Sequence, residues 1–158
     1  MSGDDHLYRT GAGIMLLNAE GKVWVGARID NRADAWQMPQ GGLDEGEEPW
    51  AGALRELEEE TGIPPELVER IAHCAEPLRY DLPEELASQL WRGRWKGQKQ
   101  HWFLARFLGS DGDVRIEAAD HPEFREWKWV EPHQLPELIV PFKRPLYERL
   151  LRDFAEYL

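Results

Sequence analysis

The sequence predicts an α/β fold, with a mixed sheet held between helices. Alternating apolar segments rich in Val, Ile, Trp and Phe lie on both sides of one long amphipathic segment. Glycine and proline mark most of the joins between them. A second amphipathic segment closes the chain. At 158 residues the chain suits a single domain over 1–158, large enough to bury a core.

The elements follow in order. "GAGIMLLN" (11–18) and "KVWVGARI" (22–29) read as two strands joined by the tight turn "AEG". "NRADA" (31–35) is a loop, and "WQMPQGGLDEGEEP" (36–49) lacks periodicity and is expected to be an irregular functional loop. From Pro49 the period becomes helical, with Trp50, Ala53, Leu54 and Leu57 on one stripe. Pro49 suits the first turn of that helix and Gly62 the position just past its end. "PPELVERI" starts a short helical or turn segment, and the stretch from Ala72 to Gln98 mixes short strands with a proline-bounded loop. "KQHWFLARFL" (99–108) is a strand, "GSDGDVRI" a turn into a short strand, and "EWKWV" a further strand. Pro145 opens the closing helix, whose inner face carries Leu146, Leu150 and Phe154.

Composition narrows the function. A net charge of −11 argues against charge-driven binding to nucleic-acid tracts, and against double-stranded DNA in particular. Cys74 is the single cysteine, so no intramolecular disulfide forms, which suits a reducing cytoplasm. The start of the chain shows no signal-peptide pattern, and no apolar run reaches the ~18 residues of a membrane span.

One stretch breaks local rules. "RELEEETG" (55–62) places Glu56, Glu58, Glu59 and Glu60 on the last turns of a helix. Glutamates at i, i+3 and i+4 repel, and the helix C-terminus is already negative. At ~100° per residue, Glu56, Glu59 and Glu60 share a face on the order of 120° from the apolar stripe. Three converging carboxylates suit Mg²⁺ or Mn²⁺, and a bound cation would relieve the repulsion. Arg55 can pair with a carboxylate and orient it. A solvated acidic face is the competing reading of the helix taken alone.

The surroundings complete a pattern. Gly41, Glu47, Arg55-Glu56-Leu57, Glu59-Glu60 and Gly62-Ile63 stand at the spacing of the Nudix box, with every fixed position filled. The chain resembles the Nudix family, whose members hydrolyse nucleoside diphosphates linked to another moiety. The resemblance implies the Nudix α-β-α sandwich, with Glu56, Glu59 and Glu60 as metal ligands. The backbone carbonyl of Gln40 joins them in this family, and Glu47 ties the loop to the helix. "YRTGAGI", "WQMPQGG", "LRYDLP", "GQKQHWF", "HPEFREWKWV" and "VPFKRPLY" occur in that order. Together they are similar to the bacterial RNA 5′-pyrophosphohydrolases and the related dinucleoside polyphosphate hydrolases. One position departs: the subgroup usually has Pro where this chain has Thr10, beside Arg9.

That resemblance implies a role for Glu123 at the metal cluster and for Lys143 at the first nucleobase, with Val140 or Phe142 shaping the cleft. Arg9 and Arg28 near strand ends can clamp phosphates. Tyr80 is either a substrate contact or a core tyrosine. "WRGRWKGQKQHW" (91–102) carries Arg92, Arg94, Lys96 and Lys99 with no acid, interleaved with tryptophans. Cations beside rings suit phosphates and bases, and Lys99 is expected to hold phosphate, while Trp91 and Trp102 are expected in the core. The five histidines show no ligand spacing, and Cys74 reads as a small buried hydrophobe. The implied reaction is Mg²⁺-dependent, with Mn²⁺ or Zn²⁺ as substitutes. It removes pyrophosphate from the 5′-triphosphate end of RNA or, alternatively, splits diadenosine tetraphosphate to ATP and AMP. The general base stays open among Glu56, Glu60 and Glu123. A non-catalytic nucleotide sensor is the remote alternative, since such proteins typically lose box glutamates.

Overall fold

A computed structural model describes residues 5–30, 35–118 and 122–158. The loop expected over 31–35 lies outside the described residues except for Ala35, as do the first four residues and His121, and so does the side chain of Trp91.

The first two strands, β1 (Tyr8–Leu17) and β2 (Val23–Arg28), meet in a tight turn with Leu17 opposite Val23. The Asn18 side chain closes that turn by accepting from the Glu20 and Lys22 backbone N–H groups at 3.0 and 2.9 Å. The short β3 (Gln40–Gly42) pairs antiparallel with Gly11–Gly13 of β1. Helix α1 (Pro49–Thr61) follows, then β4 (Val68–His73), β5 (Leu78–Asp81) and α2 (Glu84–Gln89). The long β6 (Gly97–Phe107) runs parallel to β1 along its whole length. A parallel pair needs a crossover connection, which α1 and the segments after it supply. β7 (Phe124–Val130), α3 (Leu135–Leu138) and α4 (Arg144–Asp153) complete the chain. The sheet order is β4-β6-β1-β2-β7, with β3 added to β1 and β5 to the first half of β6.

Strand alternation divides the core between two faces. Met15, Leu17, Val25, Trp102 and Leu104 face α4 and pack on Leu146, Tyr147, Leu150 and Phe154. Ile14, Leu16, Trp24, Phe103 and Ala105 face α1 and pack on Ala53 and Leu57. The expected stripe of α1 is thus the buried one, and burying a side chain the size of Leu57 contributes about 1.5–3 kcal/mol. Pro49 occupies the first turn of α1, and Gly62 ends it at φ 78° with its N–H donating to Glu58 O.

Four local expectations change. "WQMPQGG" is ordered by pairing: Gln37 bridges Gly26, and Gln40–Gly42 forms β3. After the turn at Pro65–Leu67, "VERI" is the edge strand β4, because its partner on β6 outweighs local preference. "DVRI" links two 3-10 turns, Asp111–Asp113 and Ile116–Ala118, and is not a strand: Val114 and Ile116 bury into the α1-side cluster, and the Arg115 N–H donates to Thr61 O at 2.7 Å. Within the expected proline-bounded loop Glu84–Gln89 forms helix α2, which is too short to show a period in the sequence. Cys74 is half-buried beside Asp153, and burial first pushes its thiol up to about 12. Among the described residues no helix is long and apolar enough to cross a membrane.

Candidate active site

A cleft of about 600 Å³ opens beside β3, between the C-terminal half of α1 and the segment preceding α4. Glu56 and Glu60 line it from α1, and Glu123 from the approach to β7. Arg9, Arg28 and Lys143 bring three cations to the same space, and Tyr80, Val140 and Phe142 form an aromatic and apolar side. These residues come from segments up to 134 positions apart, from Arg9 to Lys143, gathered by the pairing of β1, β2 and β6.

Glu60 is 2% exposed, and neither carboxylate oxygen meets a donor at full hydrogen-bond geometry; the Gln40 backbone N–H and Arg28 offset only part of its burial. Burial first, then the nearby Glu123 and Glu56, raise its carboxyl well above the usual value. Burial also raises Glu56, while Arg55 offsets part of that. The Glu56 carboxylate lies so close over Gly41 that a β-carbon there would overlap it. Gly42 stands in the same relation to the Arg9 guanidinium. Hydrogen at both positions lets acid and base reach the cleft from opposite sides of β3.

Arg55 organises the loop. Its Nε and Nη2 donate to the two Glu47 oxygens at 2.8 and 2.9 Å, and Nη2 also donates to Gly42 O at 3.0 Å. Nη1 donates to Glu56 at 3.0 Å and to Glu59 at 3.2 Å. This bidentate pair and the Asp44 N–H hold the Glu47 carboxyl at about 2. Glu59 follows Arg55 outward: its side chain is 57% exposed and does not line the cleft. The expected convergence of three box glutamates is therefore two in the cleft and one at its margin.

Arg28 donates from Nε and Nη2 to Asp30, both at 2.9 Å, and its Nη1 lies 3.5 Å from Glu123. A register shift between β2 and β7 at Ala27/Arg28 and the Ile29 N–H bond to Glu123 O set that position. The Lys143 ammonium lies 5.2 Å from the Tyr80 ring centre, and burial first pushes it down to about 8. Tyr80 answers both sequence readings at once: it is buried, its hydroxyl lacks a partner, and it lines the cleft. Lys99 does not line the cleft. Trp102 is buried in the core, where its Nε1 donates to Gln100.

Several residues of the cleft and of its support carry a weak sequence signal or none. Gln98 lines the cleft, and Gln100 beneath it donates to both Gln98 and Gln40. Their signal was two glutamines on the inward phase of an otherwise apolar strand. Gln37, 8% exposed with an unpartnered Nε2, and Tyr147, whose hydroxyl accepts the Met38 N–H at 2.8 Å, carry no local signal.

Among the described residues no three His, Cys, Asp or Glu side chains are gathered into a ready metal cage. The donors nevertheless fit a hard divalent cation: a buried carboxylate without a partner, a second held against Gly41, and a third facing both. Carboxylates and cations gathered around one cleft suit the cleavage of a phosphate chain with a metal's help.

Residues 7–150 match the NUDIX domain. The chain belongs to the Nudix hydrolase family. It is 57% identical over 152 residues to the RNA pyrophosphohydrolase of Erythrobacter litoralis, covering 96% of this chain and 93% of that one. It is 55% identical over 152 residues to the RNA pyrophosphohydrolase of Zymomonas mobilis, covering 96% and 97%. Among solved structures, a Caenorhabditis elegans Ap4A hydrolase complex shares the fold at a TM-score of 0.66 and 23% identity, covering 94% of this chain and 98% of that one.

Proposed function

We propose that this chain is a single-domain, cytoplasmic enzyme that removes pyrophosphate from the 5′-triphosphate end of RNA, using Mg²⁺. The observation that carries the reading is the unpartnered Glu60 carboxylate, buried at a cleft that also holds Arg9, Arg28 and Lys143. A buried charge without a partner is costly, so a site that retains one is suited to a cation ligand. RNA as the substrate rests on the near full-length likeness to the two RNA pyrophosphohydrolases.

Glu56, Glu60 and Glu123 would hold the ion, together with the Gln40 carbonyl, and Glu59 stands at the margin to complete the set. All are hard oxygen donors, which suit Mg²⁺ or Mn²⁺ better than Zn²⁺. Bound there, the ion neutralises phosphate charge and acidifies water. Arg9 and Arg28 hold the non-reacting phosphates, Lys143 beside Tyr80 contacts the first nucleobase, and Arg55 fixes the direction of Glu56. Tyr80, Val140 and Phe142 receive the first nucleobase. One of the cleft carboxylates takes the proton of the attacking water as the phosphoanhydride bond breaks and pyrophosphate leaves.

The test is a side-by-side assay with Mg²⁺ on short 5′-triphosphorylated RNA and diadenosine tetraphosphate. RNA should win in kcat/KM by about tenfold or more, which is ~1.4 kcal/mol of transition-state preference. A preference for the dinucleotide would replace this substrate with the other.

A further inference from the structure

The basic stretch that stood out in the sequence does not enter the cleft: of 92–99, only Gln98 lines it. The register explains why. Arg9, Gln98 and Tyr80 sit side by side across β1, β6 and β5, and point to the cleft. Their neighbours in the same three strands, Thr10, Lys99 and Arg79, also align, and alternation turns them to the opposite face. Tyr8 joins them there. Its hydroxyl donates to Asp81 at 2.6 Å, and its ring centre lies 4.8 Å from the Arg79 guanidinium carbon and 5.2 Å from the Lys96 ammonium. Arg94 stands 4.6 Å over the Trp95 ring just before Lys96.

This patch is continuous with the cleft. Leu86 and Leu90 line the cleft from α2 and the turn after it. Arg92 and Gly93, at φ 58° and 71°, then swing the chain around the end of the sheet to Arg94, Trp95 and Lys96. The rim of the cleft and the start of the patch are four residues apart.

We propose that the back face built by Tyr8, Arg79, Arg94, Lys96 and Lys99 is a second contact for the RNA. In this arrangement the single strand leaves the cleft over the Leu90–Gly93 rim and lays its downstream phosphates along these cations. The inference rests on the RNA reading of the cleft. Its physical ground is charge: a chain of net charge −11 repels a polyanion at long range, so holding more than the terminal nucleotides needs a local reversal. Cations interleaved with rings match single-stranded nucleic acid. A protein partner would call for a broad apolar centre, and of the exposed large apolar residues among the described ones only Leu90 adjoins this patch, at the rim of the cleft, while Ile29, Leu108, Tyr157 and Leu158 are not part of it. A dinucleoside polyphosphate is too short to use it.

The experiment compares kcat/KM for a triphosphorylated dinucleotide and a triphosphorylated single strand of about a dozen nucleotides, within the range one binding groove covers. It uses the wild type and the Arg79→Gln, Lys96→Gln double variant at several salt concentrations. The longer RNA should be favoured by about tenfold or more at low salt, with a log–log salt slope steeper by about 2, as three single-strand phosphate contacts give. The double variant should keep its dinucleotide turnover and lose most of the length preference. Equal use of both lengths by the wild type, or an equal loss on both in the variant, overturns the proposal and leaves the cleft reading intact. Cleavage of diadenosine tetraphosphate with no turnover of either RNA removes the RNA reading and this proposal together.

Discussion

Replacing Glu60 by Gln should harm the reaction and help the metal-free fold. Wild-type Glu60 is 2% exposed, unpartnered at both oxygens, and faces Glu123 and Glu56. Its carboxyl titrates above the usual value of 4.5 in the folded state, so folding binds a proton that the unfolded chain has released. Stability from this group is therefore complete below about pH 4.5 and falls as pH rises toward the folded value. While the buried group stays neutral, each pH unit above about 4.5 costs about 1.4 kcal/mol, until the group ionises. For a domain of this size each such unit is on the order of 3–5 °C in Tm. Glu60→Gln removes the proton dependence. Its carboxamide stays buried in the same place, so the metal-free variant at pH 7 should be the more stable of the two, by less than the full loss the wild type suffers.

The assay is scanning calorimetry from pH 5 to 8, with and without Mg²⁺, beside pyrophosphate release from triphosphorylated RNA. The wild type should lose Tm as pH rises and regain it with Mg²⁺, because a ligand that binds the native state stabilises it. The variant should show a flatter pH profile, little response to Mg²⁺, and turnover reduced by about 100-fold or more. A variant that melts below the metal-free wild type at pH 7, or gains as much from Mg²⁺, would refute the assignment of Glu60 as the buried ligand.

Other parts of the site give separate tests. Glu47→Gln removes the bidentate partner of Arg55 and should cost about 1.5–3 kcal/mol at neutral pH, read by urea unfolding. Because Glu47 is held at about 2, that loss should vanish between about pH 4.5 and 2, where the wild type also protonates it. Gly41→Ala sets a β-carbon against the Glu56 carboxylate; Tm should change little, since a side-chain end can move, while kcat falls by about 10–100-fold. Lys143, pushed down to about 8, is charged below that pH and neutral above it. KM for triphosphorylated RNA should rise through pH 8 in the wild type, whereas Lys143→Met should show a KM raised about tenfold at neutral pH and no such rise.

How far the sequence could be read follows from the range of the forces involved. The α1 helix declared itself because its evidence is local: apolar stripe, proline start, glycine end and crowded carboxylates lie within fourteen residues, Pro49 to Gly62. The strands β1, β2, β6 and β7 were legible as apolar runs between turn residues, and β6 by alternation as well, yet alternation gives phase without naming the face. Lys99 shows the consequence. Its charge suggested a phosphate clamp, but the pairing of β6 with β1 and β5 turns it to the side opposite Gln98 and Tyr80. Glu59 illustrates the same point on a helix, where spacing put it with Glu56 and Glu60 but Arg55, anchored by Glu47, draws it to the margin. Tyr147 is the extreme case, a hydroxyl 109 positions from the Met38 N–H it accepts. Losing that acceptor would leave a buried N–H unpaired at about 1–3 kcal/mol beside the very segment that presents Gln40. Charge type and spacing thus announce what chemistry a chain can perform, while the hydrogen bonds that aim each group are fixed by pairings no short window of sequence contains.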